Sequence, residues 1–142
     1  MVLCGAIAWV VAYALPAGII ALPPSLRPML IASLAGLGLL FNLSPKLAFG
    51  RAGTTVNPLR PAASRVLVIT GLYRLSRNPM YLGHALLLGA WACWLQHPAS
   101  LMGAPLHMAY VTRYQILPEE HALSASFGTA YEAYQARVRR WP

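Results

Sequence analysis

Apolar and polar positions fall in long blocks along this chain, with little short-period alternation. Residues 1–26 carry no charged side chain, and positions 2–22 form an apolar run of about 21 residues. As a helix that run measures roughly 30 Å, enough to cross a bilayer core. Pro16 is expected to kink it. No basic segment precedes it and Ala12-Tyr13-Ala14 is its one late small-x-small pattern, so it reads as a retained anchor. Pro23-Pro24-Ser25-Leu26-Arg27-Pro28 forms a turn, and a second span runs over 29–45. Within that span Ala32, Ser33, Ala35, Gly36 and Gly38 suit close helix contact in lipid.

The pattern then turns polar. Residues 46–77 hold Lys46, Arg51, Arg60, Arg65, Arg74 and Arg77, six of the chain's eleven basic residues. Gly50, Gly53, Pro58 and Pro61 mark this stretch as a connection, and 66–69 is too short to cross a membrane. From 78 to 112 there is no formal charge for 35 positions, too long for one span. Gln96-His97-Pro98-Ala99-Ser100 divides it into spans over 79–95 and 100–116. Pro118 is expected to open a new helix with Glu119 and Glu120 in its first turn, where acids complement the helix dipole. Gly128 should stop it, and Thr129-Ala130-Tyr131-Glu132 fits a capping box for one more helix. In that last helix Tyr131, Tyr134, Val138 and Trp141 share a face, as in an interfacial helix on an anionic leaflet. The predicted fold is all-α: one membrane-embedded domain over 1–142, about four transmembrane helices, and C-terminal interfacial helices over 118–140.

Composition agrees with this pattern. The chain is 58% hydrophobic and 10% charged, whereas soluble domains carry about a quarter charged residues. Its net charge of +8 does not point to nucleic acid, because the basic residues flank apolar runs. Four spans put the 46–77 loop and the C-terminal tail on one side. Those segments hold nine of the eleven basic residues, and Arg113 at the adjoining end of span four makes ten, which places both, and the N-terminus, in the cytoplasm. Cys4 and Cys93 sit in separate apolar runs as small buried residues, and His84, His97, His107 and His121 lack metal-ligand spacing. No metal is expected.

Chemistry concentrates in one stretch, Gly71-Leu72-Tyr73-Arg74-Leu75-Ser76-Arg77-Asn78-Pro79-Met80-Tyr81-Leu82-Gly83. Asn78 is a good N-cap and Pro79 suits the first helical position. Such a helix start aims free N–H groups and a positive dipole end outward, and Arg74 and Arg77 add charge there, giving an anion site at a membrane face. Tyr81 and His84 come after Arg77 at i+4 and i+7, one face of a continuous helix. His84 reads as a core or pocket-lining residue before it reads as a base. Arg113, Glu119 and Glu120 return charge to the same membrane face, since Leu117 and Glu120 continue the Arg113 side if that helix is unbroken. Arginines and tyrosines alone could be plain interface anchors. Acids, arginines and a capped helix start together exceed what anchoring needs.

The stretch resembles the signature G-x-Y-x-x-x-R-[HN]-P-x-Y-x-G of the isoprenylcysteine carboxyl methyltransferase and phospholipid methyltransferase superfamily. Glu119-Glu120-His121-Ala122-Leu123, Phe127-Gly128 with Tyr131 and Tyr134, and Val138-Arg139-Arg140-Trp141-Pro142 are similar to its second motif. The likeness covers about 54–142. Asn78 stands where many eukaryotic members have His, and their extra N-terminal spans have no counterpart here. The resemblance implies a small bacterial inner-membrane enzyme, active site toward the cytoplasm, that uses S-adenosyl-L-methionine to methylate a carboxylate, amine or thiol on a hydrophobic, membrane-dissolved acceptor. It implies catalytic roles for Arg77, Tyr81 and Glu120, and cofactor contacts from Tyr73, Arg77, Asn78, Pro79, Tyr81, Gly83, Glu119, Glu120 and Tyr131. The order of Glu119 and Glu120 stays open. Rival readings are a membrane sterol- or steroid-type reductase using NADPH and a non-enzymatic membrane protein. The partners implied are the bilayer and a lipid-like acceptor, without nucleic acid.

Overall fold

The computed structural model describes residues 1–14, 22–51 and 67–142, and among these every regular element is helical. Helix α1 runs Val2–Ala14, α2 Leu26–Arg51 and α3 Pro79–Leu95. After a 3-10 turn at Pro98–Met102 come α4, Gly103–Val111, a π-helical segment at Thr112–Ile116, and α5, Leu117–Phe127. Helix α6, Thr129–Arg137, closes the chain. The expected kink at Pro16 and the loop positions Gly53, Pro58, Arg60, Pro61, Arg65 and Val66 lie outside the described residues.

The α2–α3 crossing is the tightest contact. A Cβ on Gly83 would lie 2.7 Å from Gly38 O and 2.9 Å from Asn42 N, so only glycine permits this approach. Gly38 answers from α2, where an added Cβ would meet Gly83 O at 3.0 Å. Backbone proximity of this kind supplies dispersion contact where lipid offers no hydrophobic drive. At the other end of the pair Arg27 donates from Nη2 to Trp94 O at 2.7 Å. The two helices are therefore antiparallel. Helix α1 lies against α3 and α4, with Gly5 beside Leu88 and Ala8 beside Gly103.

Leu26–Ala48 is, among the described residues, the helix long and apolar enough to cross a membrane, and only 11% of its most apolar window is buried. A soluble core helix of that composition would be covered by protein. Here Met29, Leu30, Leu37, Leu40, Leu43 and Leu47 point outward, the pattern of a lipid-facing surface.

The sequence-predicted boundaries are corrected at four places. The second helix does not end at 45 but continues through Pro45 to Arg51, so the start of the expected loop is helical. Pro118 does not open a separate helix. A π segment precedes it, with Leu117 N donating to Thr112 O five residues back, and the helix runs on into α5. The wide turn accommodates a residue that has no N–H to give. Thr129 forms no capping box, because Gly128 (φ +50) is the N-cap and no side chain caps α6. The last helix stops at Arg137, and Tyr131 and Tyr134 are buried at 2% and 4% exposure, facing protein and not lipid.

Candidate functional site

The stretch before α3 is shaped by the end of the chain. Arg77 N donates to Arg139 O at 3.0 Å, and Ser76 Oγ donates to Arg140 O at 2.9 Å while accepting from Asn78 N at 3.1 Å. The extended residues after Val138 thus lie as a strap across 76–78. Asn78 occupies the N-cap position without capping through its side chain; its Nδ2 points at Arg140 O, 3.4 Å away. Pro79 comes next at the first helical position, buried. Because the chain at 77 is tied to the strap, Arg77 is not on the helical face of Tyr81 and His84, contrary to the i+4 spacing. Arg74 is exposed in the 3-10 turn Gly71–Arg74 and does not join the cluster.

Two glutamates on α5 organise the residues that do. Glu120 is held between arginines: Arg140 donates from Nε to Oε1 at 3.1 Å and from Nη2 to Oε2 at 2.7 Å, and Arg77 Nη1 stands 3.4 Å from Oε1. This two-pronged geometry is the strong form of arginine–carboxylate pairing. It also holds the Arg140 guanidinium protonated, above its already high ordinary range. Glu119 has a different environment. Its Oε1 accepts from the Tyr81 hydroxyl at 3.0 Å and from Gln115 Nε2 at 2.7 Å, and no ion pair forms on it among the described residues. Burial pushes its carboxyl above the usual range; the Gln115 and Tyr81 hydrogen bonds pull it back in part, and Glu120 adds to the rise.

Aromatic side chains complete the enclosure. Tyr134 donates its hydroxyl to Tyr73 O at 2.7 Å, tying α6 to the 3-10 turn. Burial raises the Tyr73 hydroxyl, with Tyr134 and Glu119 adding to it. Tyr131, its ring centroid 6.1 Å from that of Tyr134, is raised by burial and by Glu120, and drawn back by Arg77 and Gln135. Arg77 is half-buried; its Nη1 faces Glu120 without completing a hydrogen bond, and its enclosed Nε has no hydrogen-bond partner among the described residues.

Of the site residues read from sequence, the structure brings together Tyr73, Arg77, Asn78, Pro79, Tyr81, Glu119, Glu120 and Tyr131. Gly83 sits one turn away with its hydrogen side filled by α2. Gln115, Tyr134 and Arg140 belong to the cluster although sequence reasoning does not nominate them for the site. Two adjacent acids, one buried and one half-buried, require more donors than Arg77 alone, and that excess is the signal that could have found Gln115 and Arg140.

The chain has counterparts in sequence. The phospholipid methyltransferase family matches over residues 26–130. An uncharacterised protein of Haemophilus influenzae is 37% identical over 62 residues, 44% of this chain and 98% of that protein. No solved structure matches. With three quarters of its length inside the matched region, the chain belongs to the phospholipid methyltransferase family.

Proposed function

We propose that this protein transfers a methyl group from S-adenosylmethionine to a hydrophobic, membrane-dissolved acceptor at the cytoplasmic face of a bacterial inner membrane. The observation that carries the reading is the division of labour between the two glutamates. Glu120 is neutralised by Arg77 and Arg140, whereas Glu119, half-buried, meets neutral donors only. A carboxylate partly withdrawn from water without a cation is costly, and a ligand ammonium group would offset that cost. Arg77 Nε, enclosed and without a hydrogen-bond partner among the described residues, supplies the complement, a donor for a ligand carboxylate. An amino-acid moiety presents both charges together, so these residues fit the cofactor.

In this reading Arg77 and Glu119 hold the two ends of that moiety, with Asn78 and Pro79 fixing the backbone beside Arg77. Tyr73, Tyr81 and Tyr131 form aromatic walls, and a cationic ligand gains from ring faces as well as from charge. Glu120 keeps Arg77 in place. Bound S-adenosylmethionine supplies a methyl group already activated on a sulfonium. The chain contributes alignment and exclusion of water, the terms that dominate when the leaving group needs no protein acid. Gly83 contributes through the helix crossing that seats Tyr81.

Calorimetric titration of the detergent-solubilised protein with S-adenosylhomocysteine and with NADPH tests this. Binding of the former, weakened roughly ten- to hundredfold by Arg77→Ala, is expected, since a charged hydrogen bond to a ligand contributes about 1.5–3 kcal/mol. Binding of NADPH alone would replace the reading with a reductase.

A further inference from the structure

His107 on α4 takes no part in the glutamate–arginine cluster, yet it is 2% exposed and neither of its ring nitrogens has a hydrogen-bond partner among the described residues. Its ring centroid lies 5.5 Å from that of His84 on α3, whose buried Nδ1 is also without one. His84 in turn stands edge-on to Tyr81 at 6.1 Å, and Tyr81 donates to Glu119. A row of polar rings therefore runs from the carboxylate into the apolar helices. A buried polar atom left unpaired is costly, and ionisable side chains inside membrane segments mark ligand paths by default. Three such atoms on two neighbouring rings constitute a seat for something that hydrogen-bonds.

One turn further along α3 the walls are apolar. Leu87 and Leu88 lie three and four positions after His84, hence one turn along the same face of α3. They line a crevice of about 500 Å³ between α1 and α3, walled otherwise by Met1, Gly5, Trp9 and Trp91 among others. Resting on the methyltransferase reading, we propose that His84 and His107 seat the acceptor's head group and that the crevice takes its apolar chain. Neutral imidazoles offer one donor and one acceptor each, so the seat takes a head that exchanges hydrogen bonds. A quaternary ammonium does neither.

Trp9 and Trp91 in the crevice provide a readout independent of turnover. The probes are a single-chain carboxylic acid, an alcohol and a trimethylammonium of equal length, each brominated at the tail end to quench indole fluorescence. Saturable quenching by the acid and the alcohol is expected at concentrations at least tenfold below those the trimethylammonium needs. His107→Phe should abolish that preference and His107→Gln, which retains a donor and an acceptor, should keep part of it. Equal quenching by all three probes, or a preference unchanged in both His107→Phe and His84→Phe, would overturn the proposal. S-adenosylhomocysteine titration of the same variants separates the two ideas. Retained cofactor affinity with no head-group preference sinks the seat alone, and absent affinity in the wild type sinks the activity on which it rests.

Discussion

At the scale of single residues, adjacent acids that look equivalent in sequence perform different work. Glu120 is pinned by Arg77 and Arg140, so Glu120→Ala leaves the half-buried Arg77 without its partner. Breaking a buried pair from one side costs about 3–5 kcal/mol, and the variant should unfold at clearly lower temperature in the same detergent. Glu119→Gln keeps the Tyr81 and Gln115 contacts in shape but removes the charge. Its melting temperature should match or exceed the wild type at neutral pH while S-adenosylhomocysteine affinity falls. The pH dependence comes from the direction of the Glu119 shift. Burial raises its folded pKa above the unfolded reference of 4.5. The folded state then binds the proton more tightly, so this contribution to stability is complete below 4.5 and is lost as pH rises through the raised value. Thermal melts across that window should decline with pH in the wild type and flatten in Glu119→Gln; an unchanged slope would assign the dependence to another group.

At the scale of elements, the chain's own pattern locates the helices well and their ends unevenly. It predicts a helix over 79–95, and α3 is found at Pro79–Leu95, because a proline at its start and a polar Gln96 with positive φ at its end are local signals. Gly128 stops α5 for the same kind of reason. The failures are those where tertiary context chooses among local options. Pro45 and Pro118 can each end a helix, yet one lies inside α2 and the other comes after a π turn. Asn78 and Thr129 are good caps by composition, but the C-terminal strap and Gly128 take over those ends. The strap itself, from which Arg140 reaches Glu120, is legible as a motif but not as a contact. Glycines show the same contrast between local and tertiary meaning. Gly83→Ala drives a Cβ into the backbone of α2 and should cost about 1–3 kcal/mol. Gly89→Ala meets only Leu34 Cδ1 at an ordinary 3.7 Å and should be close to neutral. Chemical unfolding of the pair in one detergent compares them directly, and equal stabilities would remove the glycine crossing as the determinant of this contact.

At the scale of the whole molecule, the contacts fix helix directions that bear on topology. Arg27 at the start of α2 reaches Trp94 near the end of α3, while Asn42 and Gly83 meet toward the opposite ends of the pair. Gly5 of α1 lies level with Leu88, and Ala8 lies level with Gly103 at the start of α4. Successive helices α1 to α4 therefore alternate in direction, and the Arg77–Glu120 cluster collects at the end where α2 and α4 finish and α3 begins. That end carries Lys46, Arg74, Arg137, Arg139 and Arg140, while among the described residues Arg27 is the charged side chain near the other. Positive charge is retained on the cytoplasmic side of a bilayer. If the four helices all cross, the 46–77 connection, the tail and the cluster face the cytoplasm, where a water-soluble cofactor is made. Reporter fusions joined after Arg27 and after Pro98 should then report the periplasm, and one joined after Arg60 the cytoplasm. A cytoplasmic signal after Pro98 would mean that α3 does not cross, leaving its apolar outer side as an interfacial surface. A periplasmic signal after Arg60 would invert the molecule and separate the site from the cofactor supply on which the proposed activity rests; the alternating helix directions permit either orientation, and the charge distribution favours the cytoplasmic one.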